Sequence, residues 1–298
     1  MPVKITTVAD YGGFGRALHV TNGTVEAYAS IDRGPRVLHF GFCGGENLLW
    51  TDTDGSGLFE MPGLDETFGR GGVYAIMGGH RLWVSPEHPV HSYYPDTDPV
   101  DVRELPGGAL LTPPAQERLD LGLSVELRMA EDGAVTLRHR VKNTGLRPVR
   151  LAAWAITQLA PGGTLTLPQS KADTGLLADR SFSVWPYTDM GDARLCFADD
   201  YITITQNPEV SRALKIGTYN RHGRAEYRVR GSVFTKTWTP IEGAEYPDGG
   251  CCFEVYTDRR FIEMETLSPL YTLAPGEGCE HEEEWKIKRS ADYPGSDK

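Results

Sequence analysis

The 298-residue chain reads as an all-β protein, a large sandwich of antiparallel sheets with few or no long helices. Three observations predict this. Apolar and polar residues alternate with a period of two over much of the sequence, and the 3.6-residue period of an amphipathic helix is nearly absent. Thirty-four glycines and twenty prolines punctuate the chain with turns. Short strands follow one another without crossover helices, which favours antiparallel pairing.

The clearest element is a hairpin. Leu121, Leu123, Val125, Leu127 and Met129 alternate with small or charged residues, Glu131-Asp132-Gly133 turns, and Val135, Leu137, His139 and Val141 resume the alternation. One face of this pair is therefore buried. After Asn143-Thr144-Gly145, residues 149–159 are nearly all apolar and read as a central strand covered on both faces. Further strands are expected at 24–30, 36–42, 73–84, 101–111, 164–168, 182–187, 194–197, 201–206, 213–218, 225–239, 251–257, 261–266 and 279–288, with residues 44–50 closing a hairpin after the second of these. No internal repeat suggests a propeller, and no linker divides the chain, so a single domain over residues 1–298 is expected.

The formal net charge of −11 argues against nucleic acid and anionic membrane as partners, since phosphate surfaces call for a basic patch. No apolar run approaches a membrane span, and Met1-Pro2-Val3-Lys4-Ile5 lacks the apolar core of a signal peptide. Five cysteines, an odd number with no C-x-x-C pair, read as reduced thiols of a cytoplasmic protein.

The segment Gly78-Gly79-His80-Arg81-Leu82-Trp83-Val84-Ser85-Pro86-Glu87 gathers the residue types of a sugar site: polar donors, a carboxylate and an indole for the apolar face of a ring. In a strand, His80 and Leu82 face one way, Arg81 and Trp83 the other. All four share one wall only if Gly78-Gly79 bends the strand; otherwise the segment is a core tryptophan with a structural Arg–Glu pair. His88 and His91 follow, but their spacing with His80 and Glu87 matches no strong metal pattern, and neither metal nor cofactor is expected. His139 lies on an apolar face, as a satisfied core histidine would.

Four other places carry candidates. Arg36 reads either as a pocket group or as a solvated strand end. Gln158 reads as an amide for a ligand or for a buried backbone group. Lys236 shares a strand face with Phe234 and Trp238, either reaching a sugar or covering an aromatic surface with its stem. Glu263 and Glu265 share one face beside Phe261, and two close carboxylates raise one another's pKa, which suits a general base near neutrality; the alternative is a solvated edge.

The order of these features resembles the galactose mutarotase-like superfamily, the aldose 1-epimerases and their relatives. The resemblance rests on Gly78-Gly79-His80-Arg81, on the pair 138–145 and 151–159, and on Phe261–Thr266 followed by Leu273-Ala274-Pro275-Gly276-Glu277. It implies a β-supersandwich with a sugar pocket on a concave sheet face, where a glutamate takes the proton of the anomeric hydroxyl and a histidine protonates the ring oxygen without a metal. By position Glu263 matches the base and Glu265 is second. The family's acid histidine falls at Trp154, which stacks but donates no proton as an acid at neutral pH. The resemblance therefore shifts the donor role to His80, with Arg36, Arg81, Glu87, Gln158 and Lys236 as sugar or anion ligands and Trp83 and Trp154 as the stacking platform. The expected function is an isomerase acting on a small-molecule carbohydrate, as monomer or homodimer. The alternatives are a non-catalytic carbohydrate-binding protein and a glycoside hydrolase or lyase on the same scaffold.

Overall fold

The computed structural model describes residues 2–290 apart from Ser56, Pro62 and Arg70. Two large antiparallel sheets dominate it. The first, of eleven strands, runs in the order Lys4–Val8, Ala17–Thr21, Val25–Ser30, Arg36–Phe42, His80–Ser85, Val149–Leu159, Ile262–Leu267, Phe253–Thr257, Leu214–Thr218, Phe182–Val184, with Tyr271–Leu273 pairing beside the start of Val149–Leu159. The second, of ten strands, is built around the hairpin Leu121–Met129 and Val135–Asn143, flanked on one side by Gly278–Arg289, which pairs in turn with Ser232–Trp238, and on the other by Gly108–Thr112. Both short α-helical segments among the described residues, Leu64–Phe68 and Pro247–Gly250, are about one turn long. No helix among them is long and apolar enough to cross a membrane.

The sheets face each other across one continuous apolar cluster. Val37, Phe40, Leu82, Ala153, Ile262, Met264 and Phe253 come from the first sheet, Leu127, Leu137, Phe234 and Trp285 from the second. Alternation explains which residues point inward. It also leaves the other face of the first sheet free to carry polar side chains in its middle strands.

Several expected strands are divided. Residues 73–84 break at Gly78-Gly79: Val73–Ala75 pairs with Leu58–Glu60 in a separate two-stranded sheet, and His80–Ser85 joins the large one. Both glycines have positive φ, and their backbone packs too tightly for a side chain. A Cβ on Gly78 would lie 2.4 Å from the Trp50 carbonyl oxygen, one on Gly79 2.3 Å from that of Val37. The pair thus seats the strand against its neighbours. Residues 225–239 form a hairpin, Arg224–Val229 with Ser232–Trp238, and residues 101–111 another, Asp101–Leu105 with Gly108–Thr112. Residues 44–50 do not close a simple hairpin, because Leu49 bridges to Leu159 and Trp50 donates its N–H to the Gln158 carbonyl. Lys4–Val8 and Ala17–Thr21 were not expected as strands. All five cysteines are free.

Candidate active site

The outer face of the eleven-stranded sheet carries a cleft of about 400 Å³, within the ~300–1,000 Å³ typical of small-molecule sites. Cross-strand register lays out its floor. One row runs Arg81, Ile156, Glu265, Glu254; the next runs Gln158, Glu263, Tyr256, Lys215; Trp83 stands opposite Trp154. Each comes from alternate positions of His80–Ser85, Val149–Leu159, Ile262–Leu267, Phe253–Thr257 or Leu214–Thr218. Tyr93, Trp185, Tyr187 and Arg260 close the sides. A hollow sharing Glu87, Tyr93, Trp154, Trp185 and Lys215 continues toward Asp248 and Glu254.

Glu263 lies at the centre. Its Oε1 accepts from Gln158 Nε2 at 2.8 Å and from Arg81 Nη2 at 3.3 Å. Burial pushes this carboxyl up to about 7; Arg81, Lys215 and the Gln158 bond oppose that rise, while Glu265 adds to it. Beside it, the Lys215 ammonium sits between two carboxylates, 2.8 Å from Glu254 Oε2 and 2.9 Å from Glu265 Oε2, and 4.7 Å from the rings of both Trp154 and Trp185. Trp154 Nε1–H donates to the same Glu265 oxygen at 2.8 Å. Burial alone would lower the lysine, but Glu265 and Glu254 outweigh it and hold it well above its ordinary value. Glu254 is pushed well up by burial, against the pull of Lys215 and with help from Glu265 and Asp248. The Arg81 guanidinium lies 4.2 Å over Trp83.

Several buried atoms of this set have no hydrogen-bond partner among the described residues: Arg81 Nε and Nη1, and the Oε1 atoms of Gln158, Glu254 and Glu265. Those of Arg81 and Glu254 belong to residues that line the cleft and its continuation, where they suit a polar ligand.

No family model matches the chain, and no curated protein does. Solved structures match over nearly its whole length. A galactose mutarotase-like protein from Clostridium acetobutylicum superposes with a TM-score of 0.59 at 10% identity, covering 97% of this chain and 99% of that one. The GalM/aldose epimerase homologue from C. elegans gives 0.52 at 12% identity, covering 97% and 99%. The chain has the galactose mutarotase-like fold. A TPR-domain-containing protein from Parabacteroides distasonis ATCC 8503 matches at 0.62 and 14% identity over 94% of this chain, which spans 47%, about half, of that protein. At such identities the likeness is one of fold.

Within this mutarotase-like fold, the expected site residues divide between the two faces of the sheet. Arg81, Trp83, Glu87, Trp154 and Glu263 line the cleft together. Glu87, in the loop after its strand, accepts from the Tyr93 hydroxyl at 2.8 Å. Gln158 and Glu265 share the cleft face but lie beneath it, fully buried under Glu263 and under Lys215 with Trp154. Arg36 is a correction. It is buried and spent on Asp96 and on the Tyr74 hydroxyl at 3.1 Å, behind Trp83 and Tyr93, whose rings contact Tyr74.

His80 and Lys236 are corrected as well, because Gly78-Gly79 does not reorient the strand and alternation sends His80 between the sheets. Lys236 Nζ donates to Thr157 Oγ1 at 2.6 Å, Glu283 Oε2 at 3.0 Å and the Met264 carbonyl at 3.0 Å. The Thr157 hydroxyl then donates to His80 Nδ1, His80 Nε2–H to His139 Nε2 at 2.7 Å, and His139 Nδ1–H to the His281 carbonyl. His281 Nε2–H donates to Thr266, whose hydroxyl donates to Glu283 Oε2, and Trp285 Nε1–H donates to Oε1. Every link thus has one donor and one acceptor, which fixes His80 and His139 as neutral imidazoles and His281 as a donor through Nε2. Burial, with Lys236 and, for His80 and His281, the His139 imidazole, pushes His139 and His281 down to about 3 and His80 well below its ordinary value.

His80, His139 and Glu283 also place ligand-type atoms within 4.8 Å of one another. Those atoms are the ones already used: the two Nε2 atoms share a proton, and the Lys236 ammonium neutralises Glu283. The residues fit a closed hydrogen-bond network better than a cation placed beside that ammonium. His88 and His91 stack at 4.1 Å in the loop and belong to neither group.

Sequence reasoning missed Lys215, Glu254, Tyr256 and Trp185. A lysine at the second position of Leu-Lys-Ile-Gly-Thr and a glutamate within Cys-Cys-Phe-Glu-Val-Tyr were signals of buried charge. Only the strand register shows that the two meet.

Proposed function

We propose that the chain is an aldose 1-epimerase-like enzyme that opens and recloses the ring of a neutral free sugar, with Glu263 as general base. The observation that carries this reading is Glu263 itself, a carboxyl held near neutrality in an aromatic-walled cleft with unpartnered donors and acceptors around it. Trp83, Trp154 and Trp185 offer flat surfaces to the C–H faces of a pyranose; Arg81 faces its hydroxyls, and Gln158 supports Glu263 from beneath. A phosphorylated or acidic sugar fits less well. Lys236 and Arg36 lie outside the cleft, Arg81 and Lys215 are already matched by carboxylates, and Glu87 and Asp248 add negative charge around the ligand. The resemblance to the superfamily supports the reaction, and the shared fold is consistent with it.

The test is α/β interconversion across a panel of aldoses, followed by NMR or polarimetry. Glu263→Gln should lower the rate at least ~100-fold while leaving sugar affinity within a few-fold. Binding without acceleration of any aldose would overturn the enzyme reading in favour of a carbohydrate-binding protein. Release of reducing ends from glycosides would point to hydrolysis instead.

A further inference from the structure

We propose that Glu254 is the proton donor of this site, delivering its proton to the ring oxygen as Glu263 takes one from the anomeric hydroxyl. The inference rests on the ring-opening reading above and supplies what that reading lacks, an acid in place of the histidine whose position Trp154 holds. No histidine lines the cleft among the described residues. The donor must therefore be sought among its other groups.

The geometry selects Glu254. Two carboxylates, Glu254 and Glu265, stand directly opposite on adjacent strands and share the single Lys215 ammonium. Left fully ionised, the buried trio would carry an excess negative charge, and one added proton makes it neutral. The two carboxylates are not equivalent. Glu265 Oε2 accepts from both Lys215 and Trp154 Nε1, so its anion is doubly stabilised. Glu254 has the lysine alone, while Oε1 is without a partner in both. The proton therefore resides on Glu254, which also lines the hollow continuing from the cleft, whereas Glu265 lies beneath Trp154 and Lys215.

The alternatives are weaker acids. Lys215 is held protonated by two carboxylates. The Tyr93, Tyr187 and Tyr256 phenols are pushed up, chiefly by burial. Glu254 is also correctly spaced from the base. Tyr256 is the direct partner of Glu263, so Glu254 is its diagonal neighbour across the strand pair, a separation of about 7–8 Å. That spacing lets two side chains reach the anomeric hydroxyl and the ring oxygen of one bound sugar.

The step balances without a further reactant. The Glu263 carboxylate takes the O1 proton, the O1–H electrons form the C1=O1 bond, and the C1–O5 pair moves to O5, which takes the proton of Glu254. This leaves the open-chain aldehyde and a Glu254 carboxylate against Lys215. Rotation about C1–C2 and reversal of the transfers give the other anomer.

The test compares full-length wild type, Glu254→Gln, Glu254→Asp and Glu263→Gln on an aldose the wild type turns over, across pH 5.5–9.5, with sugar affinity read from tryptophan fluorescence. Glu254→Gln should lower kcat by ~100-fold or more, with affinity within a few-fold of wild type, and should lose the alkaline fall in kcat. Glu254→Asp should keep that fall at a reduced rate, and it serves if the glutamine variant does not fold. A kcat within ~3-fold of wild type in Glu254→Gln, or an alkaline limb that survives the loss of the carboxyl, overturns the assignment. An active wild type that fails only in Glu263→Gln overturns the donor and leaves the ring-opening reading standing. A wild type inactive on every aldose overturns both.

Discussion

Lys236→Met tests whether the inter-sheet network is structural. Methionine keeps most of the unbranched stem, so little cavity opens and the change removes mainly the ammonium. Three hydrogen bonds disappear, to Glu283, Thr157 and the Met264 carbonyl. Glu283, with its side chain fully buried, loses its counter-charge but keeps the donors Thr266 and Trp285. Stranding one partner of a buried ion pair costs about 3–5 kcal/mol, and the retained donors place this case at the lower end, about 3 kcal/mol, or roughly a hundredfold in the folding equilibrium. Urea unfolding monitored by tryptophan fluorescence reads this as a lower midpoint at unchanged slope. Adding Glu283→Gln removes the stranded charge, so the double variant should lose less than the sum of the two single losses. Sugar turnover by the folded protein should stay within a few-fold of wild type, because no atom of Lys236 reaches the cleft. A stability loss below about 1 kcal/mol, or a stably folded variant that no longer binds sugar, would refute the placement of this lysine.

Three further outcomes follow from the same geometry. Ring 15N shifts should show His80 and His281 protonated at Nε2 and His139 at Nδ1, with none titrating between pH 8 and 5. Their folded values lie below the unfolded value of about 6.5, so the stability each contributes is complete above that pH and is lost as pH falls toward about 3, at about 1 kcal/mol per histidine between pH 6.5 and 5.5. A histidine that titrates near 6.5 in the folded protein would contradict the network. With Glu263 as base, kcat/KM should rise with pH through about 7, the carboxylate being the active form, and a kcat/KM independent of pH from 5.5 to 8 would contradict that role. Trp185→Ala should weaken sugar binding about 3- to 10-fold, the value of one aromatic contact, with the melting temperature nearly unchanged since this side chain is only partly buried; isothermal titration calorimetry measures the first effect.

The all-β architecture was legible because alternation and turn chemistry act locally. The hairpin 121–143 is a case in point, with nine consecutive register pairs from Leu121 to Met129. The pairing of Arg81 with Trp83 on one face, and of Glu263 with Glu265, was legible for the same reason. The placement of His80 was not, because it turned on whether Gly78-Gly79 bends the strand. That depends on the Val37 and Trp50 carbonyls from distant segments. The meeting of Lys215 and Glu254 was out of reach for a related reason: each stands as a single charge in an apolar strand, and the ion-pair cluster exists only once their strands lie side by side.

Both faces of the eleven-stranded sheet therefore meet lysine, glutamate and tryptophan in close contact, those on the inner side coming from the ten-stranded sheet, and residue type alone does not tell a site from a support. Hydrogen-bond closure does. Between the sheets, the donors and acceptors of Lys236, Thr157, His80, His139, His281, Thr266, Glu283 and Trp285 form one directed chain, and none of these residues has a buried side-chain polar atom without a partner. On the cleft side, with comparable burial, Arg81, Gln158, Glu254 and Glu265 each keep at least one atom unmatched. A buried polar atom without a partner is costly to stability. Five of them gather around a single carboxyl poised near neutrality, and those that reach the cleft suit the hydroxyls of a sugar, so stability measured with and without sugar should show the cleft, not the network, as the place where the fold gains from its ligand.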